Sequence, residues 1–331
     1  MPQRPPTAEP APEPSAMRAT AFGLDVEAAT PLSFLRHAVA KPTGRPLSIS
    51  VHPDETARER WPQGSELICD ERLPDGAVNY RIEAHPDSGY LVSGPEYGAH
   101  LLSADGRHLR CFPEGTPDGG WQRMLVAQVL PFAALLHGLE AFHASAVVQG
   151  GEVIALLGPS RSGKTSLALE LCARGASFMA DDVLALETRD GALFANPGSP
   201  VAGVALEHEH EHERGRQDNA ADDQVIALNA RERIVQVVGA EEPAALGTLL
   251  FLDRKADGPE RPSFEARVDA HLLLTATFNF VLATPERLER LLEVASLAAR
   301  LRVELVACGP RTTVPELADA VERRLSSSGA L

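Results

Sequence analysis

Clusters of positive charge are missing from this chain of 331 residues: 31 Lys and Arg stand against 46 Asp and Glu, for a formal net charge of −15. A surface of that sign repels phosphate backbones and acidic lipid, which argues against nucleic acid and anionic membranes as partners. Cysteine is scarce as well. Cys69, Cys111, Cys172 and Cys308 lie far apart with no CxxC among them, so neither a zinc knuckle nor a disulfide framework is indicated. Long apolar runs are also absent. Met124 to Leu139 is the longest, and Gln128, Pro131 and His137 interrupt it, as in a buried helix rather than a membrane span. Met1 to Pro14 is rich in proline with no apolar h-region, so no secretory signal is expected and the cytoplasm is the default location. No internal repeat occurs. What is present is a core: 44% of the residues are hydrophobic, enough at this length for two domains.

Three segments differ in pattern. Residues 1–17 hold Pro, Glu and Ala without periodicity and are expected to be disordered. Residues 18–140 carry short alternating runs (Ala21–Val26, Leu47–His52, Glu66–Glu71, Val78–Ala84, Tyr90–Val92 and His108–Phe112) with turns at Asp75-Gly76, Ser88-Gly89 and Asp105-Gly106. They predict a small β-rich domain, with Pro31–Ala40 as a short helix and Trp121–Glu140 as a helix closing it. Residues 141–331 alternate strand and helix patterns, as an α/β domain does. A hairpin is expected at Val183–Glu187 and Ala192–Ala195, a helix in Ala270–Leu282, a helix at Pro285–Arg300 capped by Thr284, a strand at Val303–Ala307 and a closing helix at Thr313–Leu325.

The sharpest signal is Val153-Ile-Ala-Leu-Leu-Gly-Pro-Ser-Arg-Ser-Gly-Lys-Thr-Ser166. An apolar run suited to a buried parallel strand closes on Gly158-Pro159-Ser160-Arg161-Ser162-Gly163-Lys164-Thr165, and Ser166–Cys172 suits a helix that starts at the lysine. This is a complete Walker A motif in the context it requires. Its backbone N–H groups would wrap phosphates at a helix N-terminus, where the helix dipole also favours negative charge. Gly158 and Gly163 permit backbone conformations that a Cβ would obstruct. Lys164 would reach the β- and γ-phosphates and the Thr165 hydroxyl would hold Mg²⁺. A nucleoside triphosphate, ATP, is the implied ligand. The alternative is a chance glycine-rich turn.

Beyond the helix, Arg174-Gly175 reads as its end, Ser177–Ala180 as the next strand, and Asp181-Asp182 stand at that strand's exit. Two adjacent carboxylates there can divide the work, one holding Mg²⁺ while the other accepts a proton from an attacking hydroxyl. They can equally open a solvated turn. His143 stands between the long apolar stretch and the strand Ala144–Val148, where it is either a core histidine with one hydrogen bond or a proton shuttle near the phosphates.

From Phe142-His-Ala-Ser-Ala-Val-Val, through the Walker A segment, to Arg174-Gly-Ala-Ser-Phe-Met-Ala-Asp-Asp-Val183, the chain resembles the HPr kinase/phosphorylases and their looser relatives. The resemblance implies a P-loop kinase domain of the HPr kinase C-terminal type, preceded here by the small β-rich domain. It implies Lys164 on phosphate, Thr165 on Mg²⁺, Asp181 as base toward a substrate hydroxyl, Asp182 supporting the metal, and His143 as the family's histidine. HPr kinases proper carry Gly-Lys-Ser-Glu, whereas this chain has Gly163-Lys164-Thr165-Ser166, and their downstream Glu-x-Arg-Gly signature is missing. The divergent branch, part of which modifies serines of ribosomally made peptides, is the closer likeness, so a serine on a protein or peptide is the expected acceptor. A small-molecule kinase, and a nucleotide-binding regulatory protein in which catalysis has lapsed, are the alternatives. A homo-oligomer is left open.

Two further features compete for a role. Gly247-Thr-Leu-Leu-Phe-Leu-Asp253 resembles a Walker B strand, but Arg254 and Lys255 follow where a glutamate is common. Asp253 is therefore read as a strand-end residue, with Arg254 a partner for phosphate or for structure. His208, His210 and His212 alternate with glutamates in a polar stretch. Such side chains suit Zn²⁺ or Ni²⁺, yet the composition favours a surface loop.

Overall fold

Alternation of buried and exposed side chains builds the first sheet: Met17-Arg-Ala-Thr-Ala21 places Met17, Ala19 and Ala21 inward, and Leu24-Asp-Val-Glu-Ala28 repeats the pattern. Residues 17–36, 41–73, 75–113, 119–206, 224–228, 232–267, 270–278 and 282–327 are described by this computed structural model, a mixed α/β molecule with three sheets. Strands β1 (Met17–Ala21), β2 (Leu24–Ala28), β3 (Pro46–Val51), β4 (Glu66–Arg72), β5 (Val78–His85), β6 (Gly89–Gly94), β7 (Gly98–Leu102) and β8 (His108–Phe112) form an eight-stranded sheet in the order β1-β2-β3-β8-β7-β6-β5-β4. The one strand expected at Ala21–Val26 is a hairpin. Phe22 and Gly23 adopt φ of 55° and 75°, the left-handed pair that joins antiparallel strands in two residues. Residues 31–36 are not helical, and the rest of the helix expected to Ala40 lies outside the described residues.

The helix after this sheet is broken and short. It is α-helical over Gly120–Met124, π-helical over Leu125–Val129 and α-helical again over Leu130–Leu136. Pro131 has no N–H to give to the turn before it, and the wider turn absorbs the loss. Gly138 ends it with φ 86°, as Leu139 N–H returns to the Ala134 carbonyl. Glu140 therefore belongs to strand β9 (Glu140–Phe142) and not to the helix expected to reach it.

The second sheet carries the motifs. Strands β10 (Ala144–Gln149) and β11 (Glu152–Leu157) are joined by Gly150 and Gly151, with φ of 62° and 86°. That two-residue turn makes β11 antiparallel to β10, whereas it pairs in parallel with β18 (Ala244–Arg254) on its other side. The parallel arrangement expected of β11 thus holds on one flank. Strand β12 (Ser177–Ala180) is antiparallel to β10. Two reversals bring β12 back to the direction of β11, so the chain exits of both strands share one sheet edge with the start of β10. Strands β13 (Leu184–Arg189) and β14 (Ala192–Asn196) form the expected hairpin and tie β9 to β18, while β20 (Arg302–Cys308) pairs with β18 in parallel and with β19 (Ser263–Ala266) antiparallel. Strands β15 (Val201–Ala205), β16 (Gln224–Leu228) and β17 (Glu232–Gln236) make a small third sheet.

Helices cover both faces. Ile154 and Leu156 point to the helices Lys164–Ala173 and Val314–Ser326, packing with Leu167, Leu171, Leu317 and Val321. Val153, Ala155 and Leu157 point the other way, onto Leu291, Val294 and Ala295 of the helix Pro285–Ala298. Thr284 caps that helix as expected, accepting from Arg287 N–H, and Thr313 forms a capping box with Glu316. The helix predicted over Ala270–Leu282 spans only Ala270–Thr275, because Thr277 and Phe278 leave it to bond with Phe142 and Ala141 of β9. The expected disordered start, apart from Met17 in β1, lies outside the described residues, as do His208, His210 and His212.

Candidate functional site

The site forms where the exits of β11 and β12 meet the start of β10. Gly158 has φ 137°, and a Cβ there would stand 2.5 Å from the Leu252 carbonyl of β18. The loop can lie against its neighbour only with glycine in that place. Arg161 and Gly163 also have positive φ, 65° and 95°, and the helix Lys164–Ala173 begins directly after them. The loop is therefore a turn of left-handed residues leading into a helix N-terminus, with Pro159, Ser160 and Arg161 exposed and Ser162 buried. Lys164 folds over it, its Nζ donating to the carbonyls of Gly158 and Pro159 at 2.9 and 3.0 Å. Burial pushes the Lys164 ammonium below its ordinary value, against the opposing pull of Asp182 and Asp181. Ser166 lies in the helix's first turn.

Asp181 gathers donors from three elements. Ser145 of β10 donates to Oδ1 at 2.6 Å, Thr165 donates to the same oxygen at 2.7 Å, and Gly203 N–H of β15 donates to Oδ2 at 3.1 Å. Burial and the neighbouring Asp182 charge nevertheless push its carboxyl up to about 6, outweighing those three hydrogen bonds. Asp182 behaves oppositely. Its φ is 64°, uncommon for a residue with a side chain, and its Oδ2 meets the Arg123 guanidinium. Burial would raise it, but Arg123, with His143 and Lys164, carries it below the usual carboxylate range. Arg123 is in turn gripped by Glu232 of β17, Nε to Oε1 at 2.8 Å and Nη2 to Oε2 at 3.2 Å.

His143 joins β9 to β10. Its N–H donates to the Ala276 carbonyl at 2.6 Å and its ring meets Phe278 edge-on with centroids 5.2 Å apart. The residue is solvent-exposed, yet the packing around its ring, above all, and Lys164 push its imidazole below the ordinary value against the Asp182 charge. It thus lies beside the acidic pair rather than in the core.

All the singled-out residues of the loop, the Asp-Asp pair and His143 stand at one sheet edge. Thr165 is hydrogen-bonded to Asp181 and not to Asp182. Ser145, Gly203, Arg123 and Glu232 were not picked out from the sequence. Ser145 had a signal, a hydroxyl inside the apolar run Ala144–Val148, whereas nothing local marked Arg123 or Glu232. Of the competing features, Asp253 pairs with Lys255 at 2.7 Å. Arg254 is held by the Thr312 carbonyl at 2.8 Å, with Nη2 3.9 Å from where a Gly163 Cβ would stand.

Among the described residues, no group of three or more His, Cys, Asp and Glu side chains has the spacing to hold a metal ion, and no helix is long and apolar enough to cross a membrane. Mg²⁺ makes a smaller demand, one or two carboxylates with the remaining sites taken by phosphate and water. Thr165 and Asp182, the residues expected to hold it, carry oxygen donors of the kind it takes.

No family model matches this chain, and no curated protein matches it. Among solved structures, the Hpr(Ser) kinase/phosphatase from Coxiella burnetii is similar over 57% of this chain and 99% of its own, at 14% identity and a TM-score of 0.32.

Proposed function

We propose that this protein is an ATP-dependent phosphotransferase that moves the γ-phosphoryl group to a hydroxyl, with serine of a protein or peptide as acceptor. One observation carries the reading: a glycine-containing loop that opens a helix with Lys164-Thr165 is hydrogen-bonded, through Thr165, to one of two adjacent carboxylates whose proton affinities the surroundings drive apart. Such a split is how neighbouring acids come to serve different roles. Backbone N–H groups from Gly158 to Thr165, with Lys164 released from its two carbonyls, would hold the triphosphate. Mg²⁺ at Thr165 and Asp182 would neutralise charge on the β- and γ-phosphates. Asp181 has the basicity suited to accept the acceptor's proton near neutral pH. The acceptor oxygen bonds to the γ-phosphorus as the β–γ bridging bond breaks, and ADP leaves. His143 stands beside the pair as a donor toward the transferred group. The serine acceptor rests on the sequence resemblance described above.

The test is γ-phosphoryl transfer from labelled ATP to the protein and peptide products of neighbouring genes. Wild type should label one acceptor at serine. Asp181→Asn should retain ATP binding yet lose transfer by about a hundredfold or more, the size of a general-base contribution. Transfer by Asp181→Asn at the wild-type rate would remove Asp181 from the chemistry, and labelling of a small molecule instead would reassign the acceptor.

A further inference from the structure

Arg123 is the cation most intimately joined to the acidic pair, yet it comes from the far side of the molecule's sequence. It lies in the helical segment that follows the eight-stranded sheet, 59 residues before Asp182. Its side chain is 16% exposed, and its guanidinium spans two carboxylates, Asp182 of the site and Glu232 of β17. Glu232 holds it by two nitrogens, the fork geometry that fixes an arginine in one orientation. The residue between them is Gly203, where a Cβ would fall 2.2 Å from Glu232 Oε2 and 3.2 Å from Arg123 Nη2. Gly203 thus has two parts to play: its N–H reaches Asp181 and its missing side chain leaves room for the Arg123–Glu232 ion pair.

Asp182 needs such a support. A residue with a side chain at φ 64° is held there by its surroundings. Its backbone is fixed from β10, where Ala144 N–H donates to its carbonyl at 3.2 Å. Its side chain is fixed by Arg123, which engages Oδ2. We propose that Arg123, clamped by Glu232, is a positioning residue that orients Asp182 for the nucleotide-bound metal. It acts through Asp182 and does not touch substrate. This rests on the phosphotransferase reading, because that reading gives Asp182 its metal. An outer partner of this kind orients a carboxylate ligand and typically changes metal affinity by about 10- to 100-fold.

Two readouts test it. The first is ligand-free: amide hydrogen exchange across 181–183, in wild type and in Arg123→Gln, Arg123→Lys and Glu232→Gln. Loss of the grip should speed exchange there in Arg123→Gln, less in Arg123→Lys and in Glu232→Gln, with global unfolding unchanged. Exchange at 181–183 equal to wild type in Arg123→Gln would overturn the proposal whatever the protein's activity. The second uses Mn²⁺ as a paramagnetic probe with ATP. Arg123→Gln should weaken Mn²⁺ by about tenfold or more while ATP affinity measured without metal stays within about threefold. On an Asp182→Asn background the same substitution should add nothing, because its effect runs through Asp182. A loss of equal size on that background, or wild-type Mn²⁺ affinity in Arg123→Gln, would contradict it. Wild-type protein that binds no nucleotide at all would instead sink the phosphotransferase reading, and the exchange measurement would still decide the arginine.

Discussion

At the scale of single residues, Asp181 and Asp182 show how strongly neighbours set the behaviour of identical side chains. Both are partly buried, the Asp182 side chain 43% exposed, and the packing around them disfavours charge on each. Only Asp182 has a guanidinium on its carboxylate, and so the remaining proton affinity collects on Asp181. This has a consequence for stability. The Asp181 carboxyl titrates near 6 in the folded protein and near about 4 when unfolded. Between those values the folded state binds more protons, so its stability is fullest below the unfolded value and falls as pH rises through the window. The melting difference between ligand-free wild type and Asp181→Asn should show this decline from about pH 4 to about pH 6, because the variant lacks the titrating group while every other carboxylate is shared. A slope identical in the variant would contradict the assignment. The loop and both aspartates were legible because their chemistry is local: a fixed spacing of glycines, Lys164 and Thr165, then two acids at a strand exit. Arg123 and Glu232 were not, since a salt bridge across 109 residues leaves no trace in either neighbourhood.

At the scale of elements, β9 and the helix Pro285–Ala298 are joined by Glu140, 1% exposed, which lies between Arg287 and Arg290. Burial pushes the Glu140 carboxyl above its ordinary value even with two arginines beside it. The ion pairs therefore do not fully repay desolvation, and their loss is costly chiefly for what is left behind. Glu140→Ala leaves Arg287, 5% exposed, without its carboxylate, and should destabilise the protein by about 3–5 kcal/mol in denaturant unfolding. A change under about 1 kcal/mol, the usual worth of an exposed pair, would show that water reaches Arg287. The same region shows which elements sequence periodicity places badly. Apolar residues run on through Leu139 and Ala141, so periodicity alone extends the helix, while Gly138 and its reversed hydrogen bonds stop it. Hydrophobic pattern reports burial, and here helix and strand are buried alike. Where end signals were explicit, at Thr284 and at Arg174-Gly175, the ends fell as expected.

At the scale of the whole molecule, the two sheets share an apolar core. Leu24, Val26, Leu47 and Leu109 of the first sheet belong to the same buried cluster as Val129 and Phe132 of the intervening helix, and as Val183, Ala185 and Ile234 beyond it. That packing was not visible in the sequence, which marked a change of pattern near residue 140 but not what the two parts bury against each other. Equilibrium unfolding should therefore be one transition, coincident by Trp fluorescence and by far-ultraviolet circular dichroism. Two separated transitions would mean that the shared core does not couple the parts. The shared core also carries Arg123 to the acidic pair, so the site depends on both sheets. Phosphoryl transfer by this molecule requires the loop from Gly158 to Thr165 to be a triphosphate site. Calorimetric titration of the folded protein with ATP and Mg²⁺, alongside Lys164→Ala, tests that most directly. The prediction is one saturable site in wild type, weakened by about tenfold or more in the variant with its fold retained, as loss of a charged phosphate contact requires. Absence of binding by folded wild type, or unimpaired binding by Lys164→Ala, would contradict it.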